Sequence, residues 1–223
     1  MTKEGKSRKR SAKKPPRRLA SKSAKKFDVY QDNKADYVTP KAPIVLEIKP
    51  ARYLAIAGRG KPGDATFRAQ LGALYAVAFT VKMASKSAGR DYTVSKLEGL
   101  WWGDDPDEVL LGQKRDTWNW KLLIRTPDFI SQEQVSNAIR KLQESAKPAE
   151  VAFVELEGLD EGRCVQMLHV GAYDAEAPTL QAMHAFAGGR GFRFSGLHHE
   201  IYLSDPRRVA PAKLNTILRH PIQ

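Results

Sequence analysis

The chain has 223 residues, 42% of them apolar and 28% charged, enough to bury the core of one large domain or two small ones. It holds no apolar run of about 18 residues for a membrane helix, and its N-terminus lacks the apolar segment of a secretory leader. A single cysteine, Cys164, rules out an internal disulfide and a cysteine-based zinc set, which points to a cytoplasmic protein.

The net charge of +12 is unevenly placed. Residues 1–26 hold 12 of the 37 Lys/Arg and one of the 25 Asp/Glu, so everything beyond residue 26 carries only +1. The tail is poor in apolar residues and rich in Lys, Ser and Pro, a composition expected to stay disordered. It suits weak, salt-sensitive phosphate contacts with nucleic acid, or serves only to solubilise. Residues 1–43 are read as disordered tail and linker, with the folded domain spanning 44–223.

Ile44–Ile48 and Tyr53–Ala57 flank Lys49-Pro50 and read as paired strands. The segment 58–63 is glycine-rich but lacks the spacing of a phosphate-binding loop, and it reads as an ordinary turn. Asp64 is placed to cap a helix over 64–86, with Phe67, Leu71, Leu74, Ala78 and Val81 on one face. Strands are expected over 92–102 and 118–125, the second with Trp118, Trp120, Leu122 and Ile124 on one side. Ser131 and Gln134 make a capping box for a helix that ends before Pro148. The second half repeats the plan: strands at 151–156 and 164–170, a helix opened by Pro178 and closed by Gly188-Gly189, and strands at 198–203 and 215–220.

The letters support this repeat. Aligning the halves puts Gly58 on Gly171, Glu98 on Glu200, Leu100 on Tyr202, Arg125 on Arg219 and Pro127 on Pro221. The expected fold is α+β: two tandem pseudo-symmetric strand-strand-helix-strand-strand modules around a central ligand cleft. Glu98 and Glu200 are then expected to face that cleft together.

LEGLWW (97–102), VQMLHVGAYDAEAPT (165–179) and HHEIYLSDPRRVAPAKLNTILRHPI (198–222) resemble the GyrI-like small-molecule-binding superfamily, over about 44–222. The resemblance implies two βαββ-type modules and a bound small aromatic or cationic ligand. Within the superfamily the chain looks most like cyclopropanoid cyclopropyl hydrolases, which open the cyclopropane of DNA-alkylating natural products. Other branches are gyrase inhibitors or ligand sensors fused to helix-turn-helix domains. Residues 1–43 carry no helix pair for such a domain, so this chain is not expected to be a regulator by itself.

The resemblance implies that the Glu of Glu-x-Tyr faces the ligand, which selects Glu200; an edge-strand carboxylate in solvent is the alternative. Glu98 is its repeat mate, able to divide acid and base roles with it, or else paired with Arg125 or Lys96. Tyr202 is placed to hydrogen-bond a ligand carbonyl or water. Trp102 shares Glu98's side of its strand by parity. Trp102, Trp120, Tyr173 and His169 complete the expected ligand contacts, the tryptophans offering flat walls or serving as core. His198 and His199 point to opposite sides of a strand, so neither a metal site nor a cofactor is expected. The expected partner is a small molecule bound by a monomer or homodimer, with no membrane contact. Catalysis and simple drug sequestration are both open at this point.

Overall fold

A computed structural model describes residues 26–105, 108–109, 113–145 and 148–223. The basic tail, apart from Lys26, lies outside the described residues. In chain order they form β1 (Phe27–Asp28), α1 (Val29–Asp32), β2 (Ile44–Ile48), β3 (Ala51–Arg59), α2 (Ala65–Ser87), β4 (Tyr92–Thr93), β5 (Leu97–Trp102), β6 (Asn119–Thr126), α3 (Gln132–Glu144), β7 (Glu155–Leu159), β8 (Gly162–Val170), α4 (Ala177–Gly188), β9 (His198–Tyr202) and β10 (Asn215–Pro221). The fold is α+β. One antiparallel sheet runs β2-β8-β10-β9-β5-β6-β3-β7, while β1 and β4 pair separately in parallel. No described helix is long and apolar enough to cross a membrane.

The helix starts follow local chemistry. Asp64 Oδ1 accepts from the Phe67 amide at 2.7 Å at the head of α2. Ser131 and Gln134 cap α3 reciprocally. Both helices lie on one face of the sheet, where Leu74, Val77, Val81, Val135 and Ala138 pack on Leu54, Ile56, Trp120, Leu122 and Ile124. Under α4, Leu180 and Met183 pack on Val165 and Leu218. Each of these Leu, Ile, Val and Met side chains, sealed from water, contributes about 1.5–3 kcal/mol.

Three sequence expectations change. Ile44–Ile48 does not pair with the strand that follows it: β2 pairs with β8, and β7 pairs with β3. A two-residue hairpin needs backbone at positive φ, and Lys49-Pro50 does not offer it, since proline fixes φ near −65°. The strand expected over 92–102 is broken, with β4 leaving to pair β1 before β5 begins at Leu97. Residues 151–153 belong to a 3₁₀ turn, and β7 starts at Glu155.

Order also begins well before Ile44. Val29 is 1% exposed and Tyr37 3%. The Leu168 amide donates to the Pro40 carbonyl at 2.8 Å, and the Gln166 amide nitrogen donates to the Val38 carbonyl at 2.7 Å. Residues 27–43 are an ordered arm on the sheet.

The register of the strands corrects the repeat. Tyr53 pairs with Arg125, and Gln166 with Arg219, which keeps Gly58 equivalent to Gly171 and Arg125 to Arg219. Two residues before each arginine, Leu123 pairs with Glu98 and Ile217 with Ile201. Glu98 therefore corresponds to Ile201, and Glu200 to Leu97. The match of Glu98 to Glu200 is off by one residue, and one residue reverses a strand side chain. Directly across the seam Glu98 pairs with Ile201, and Glu200 with Gly99. Cross-strand partners share a face, so the two glutamates project from opposite faces of the sheet.

Candidate functional site

Where β5 meets β9, on the face that carries α2, a cavity of about 1090 Å³ opens between α2, the 203–207 loop and the N-terminal arm. Phe67, Leu71 and Tyr75 line it from successive turns of α2. Trp101 and Leu97 come from β5, Glu200 and Tyr202 from β9, and Tyr173 from the turn after β8. Asp28, Tyr30 and Gln31 close one side.

The aromatic groups are locked to one another. Trp101 stacks on Phe67 with ring centroids 6.1 Å apart, and Tyr173 meets Tyr202 edge-on at 5.6 Å. Trp101 Nε1 donates to Tyr202 Oη at 3.0 Å. Gly99 permits this approach, because a Cβ there would sit 2.9 Å from Trp101 Nε1 and 3.1 Å from Tyr202 Oη. Burial, reinforced by Glu200 nearby, raises the Tyr202 hydroxyl far above its ordinary pKa. The same two causes push Tyr173 up to about 12. Both phenols therefore remain hydrogen-bond donors at neutral pH.

Glu200 is the acidic group of the floor, 2% exposed and hydrogen-bonded to Tyr202. Its Oε1 lies 3.5 Å from His198 Nε2. Glu176, the residue before α4, is buried close by.

Glu98 is elsewhere, at 0% exposure on the opposite face. Tyr37 Oη donates to its Oε1 at 2.9 Å, and His199 Nε2 lies 3.0 Å from its Oε2. The paired, structural alternative for Glu98 describes its surroundings, but with Tyr37 and His199 in place of Arg125 and Lys96; Arg125 instead meets Asp36 at 2.8 Å. His199 Nδ1 lies 2.9 Å from Glu161 Oε1, and Glu161 Oε2 is 2.8 Å from Arg219 Nη1. Burial opposes charge on His199, but Glu161 and Glu98 outweigh it and push its pKa up to about 9. Burial likewise opposes ionisation of Glu161, which His199 and Arg219 nevertheless hold down at about 2. This network ties the arm to the sheet rather than facing a ligand.

Of the other expected contacts, Tyr202 and Tyr173 line the cavity. Trp102 does not: it is on Glu98's side of β5, and Trp101 takes the ligand-facing place. Trp120 is core at 0% exposure, packed on Phe67 and donating to Gln70 Oε1 at 2.9 Å. His169 braces the turn after β8, with Nδ1 3.0 Å from Thr179 Oγ1 and Nε2 3.2 Å from the Ala172 carbonyl. The sequence reading passed over Trp101, Phe67, Tyr75 and His198. The side of Trp101 follows from the β5–β9 register, which sets Gly99 opposite Glu200 and which no local signal gives. Phe67 and Tyr75 were available from the i, i+8 spacing on α2, and His198 from strand parity with Glu200.

The family model of the GyrI-like small molecule binding domain matches residues 41–223. The chain belongs to that family. A hydrolase from Listeria innocua is 33% identical, covering 89% of this chain and 100% of its own, with a TM-score of 0.79. An uncharacterized conserved protein from Listeria innocua shows the same identity and coverage with a TM-score of 0.82. The EcmrR C-terminal domain, 12% identical over 81% of this chain and 96% of its own, shares the fold with a TM-score of 0.54. Among curated proteins, none matches the sequence. As a GyrI-like domain, the chain is a small-molecule binder, and its aromatic cavity is the candidate site.

Proposed function

We propose that this GyrI-like protein binds flat aromatic compounds in the cavity and detoxifies electrophilic cyclopropanes there by hydrolysis. The observation that carries the reading is Glu200, a carboxylate 2% exposed on the floor of a cavity walled by Phe67, Trp101, Tyr173 and Tyr202. The 33% identity to a Listeria protein described as a hydrolase supports it.

In this reading the aromatic walls hold the ring system, and Glu200 accepts a proton from water as its oxygen attacks a cyclopropane methylene. The carbon–carbon bond breaks, and its electron pair passes through the conjugated ring to the carbonyl oxygen. The proton taken by Glu200 returns to that oxygen, giving a ring-opened alcohol and a regenerated carboxylate. Tyr202, held by Trp101, orients Glu200. Glu98 takes no part, because the sheet lies between it and the cavity.

The test is incubation with a cyclopropanoid alkylator at substoichiometric protein. Hydrated, ring-opened product in many-fold excess over protein is expected. Depletion of free compound limited to one equivalent, with no product, would assign sequestration instead.

A further inference from the structure

We propose that Glu176, His198 and Glu200 form a binding site for one divalent transition-metal ion at the floor of the cavity. His198 and Glu200 stand two apart on β9 and so share a face, while Glu176 arrives from the start of α4. One ligand atom from each lies within 4.8 Å of the others, and all three residues are buried. Two donors on one ion at the usual distances of about 2.0–2.2 Å are separated by roughly 4 Å at most, so a small side-chain rotation closes the set.

The second observation is His198 itself. It is 2% exposed, yet among the described residues neither ring nitrogen has a hydrogen-bond partner. Its 3.5 Å approach to Glu200 is too long for a good hydrogen bond. A sealed imidazole ordinarily finds a partner, and a metal ion is one. The neighbouring His199 is not available, since it projects to the other face between Glu98 and Glu161.

Charge and donor type narrow the ion. Two carboxylates and a neutral imidazole present a charge of −2, which a divalent cation cancels in surroundings where an unbalanced charge is costly. A mixed nitrogen and oxygen set without thiolate suits Zn²⁺, Mn²⁺ or Fe²⁺ over the all-oxygen preference of Ca²⁺ and Mg²⁺. Cysteine and histidine spacing gave no hint of this set, because Glu176 stands 22 residues before His198 in the chain. Glu200 borders the cavity, so an ion held here adjoins whatever molecule occupies it. The inference is independent of hydrolysis: a binder and a hydrolase can both carry the ion.

The full chain, stripped with chelator and desalted, is titrated with Zn²⁺ and separately with Mn²⁺ by calorimetry, with Co²⁺ absorption as a direct report of the donor set. Binding of one ion per chain at a dissociation constant of about 10 µM or tighter is expected, together with a higher Tm in saturating metal. His198→Gln and Glu176→Gln should each weaken binding at least 10-fold while the metal-free proteins keep the wild-type circular dichroism. No binding of any of the three ions up to 100 µM overturns the proposal, as does one-to-one binding unchanged in a folded His198→Gln or Glu176→Gln variant. Should His198→Gln fail to fold, Glu176→Gln decides alone.

Discussion

His199 provides a measurable link between the buried network and stability. Its pKa is about 9 in the folded chain against an ordinary 6.5, because Glu161 and Glu98 hold the proton on a ring that burial alone would discharge. A base whose folded pKa is raised contributes fully below its unfolded pKa and loses that contribution as pH climbs through the folded value. The window is therefore pH 6.5 to 9, and the shift corresponds to about 3 kcal/mol. For a domain of this size that is a fall in Tm of roughly 10 °C. His220 acts in the opposite sense: burial, with His198 nearby, lowers it to about 3, so its contribution is complete above 6.5 and is lost as pH falls toward 3. Glu161, held down at about 2, adds a second acid loss below its ordinary 4.5. Stability should peak near pH 6.5. Scanning calorimetry of wild type and His199→Gln from pH 5 to 9.5 checks this, the variant being less stable at pH 6 and lacking most of the alkaline decline. An identical alkaline slope in the two proteins would refute the assignment of the charge to His199.

Glu200→Gln should lower cyclopropane turnover by roughly 100-fold or more, measured by product formation, and shift Tm little. Glu98→Gln should do the reverse: it disturbs the contacts of Tyr37 and His199 and should cost about 3 kcal/mol or more in denaturant unfolding, while turnover at saturating ligand is retained. Gly99→Ala forces a methyl group against Trp101 and Tyr202 and should weaken aromatic-ligand binding by roughly 10-fold in a fluorescence titration. Deleting residues 1–25 should leave Tm and ligand affinity unchanged and abolish any DNA retardation, since the remaining chain carries only +2. Deleting 1–37 should lose both stability and ligand affinity, because it removes Asp36, Tyr37 and the cavity wall at Tyr30.

Much of the architecture was legible because it is written locally. Asp64, the Ser131–Gln134 box, and the alternation of Trp118, Trp120, Leu122 and Ile124 state their own consequences within a few residues. What was not legible depends on distant pairing. Nothing near Ile44 announces that β2 will lie beside β8, and the polar stretch 27–43 resembles a linker until Asp36 and Tyr37 meet Arg125 and Glu98 across the sheet. The order of long-range strand pairs rests on where every other strand goes, and local chemistry can only forbid, as Lys49-Pro50 forbids the hairpin.

The two glutamates show why a repeat in letters is a weak guide to a shared site. A gap or slip of one residue hardly changes how well two short segments match, yet in a strand it exchanges the ligand-facing side for the opposite one. Anchored on Arg125 and Arg219, the sheet equates Glu200 with Leu97, and both border the cavity. Glu98 is equated with Ile201, and both are sealed on the other face. The two faces of the sheet thus divide the work, and each half of the chain contributes to both. The α2 face gathers the aromatic rings and Glu200 where a ligand can reach them, with Glu176 and His198 buried beside Glu200. The opposite face gathers Glu98, His199, Glu161 and Arg219, whose mutual charges anchor the arm that completes the cavity wall. An acid–base pair read from the repeat would have joined groups that the sheet keeps apart. The chemistry available to a bound molecule is instead what β9 and the start of α4 bring to one side.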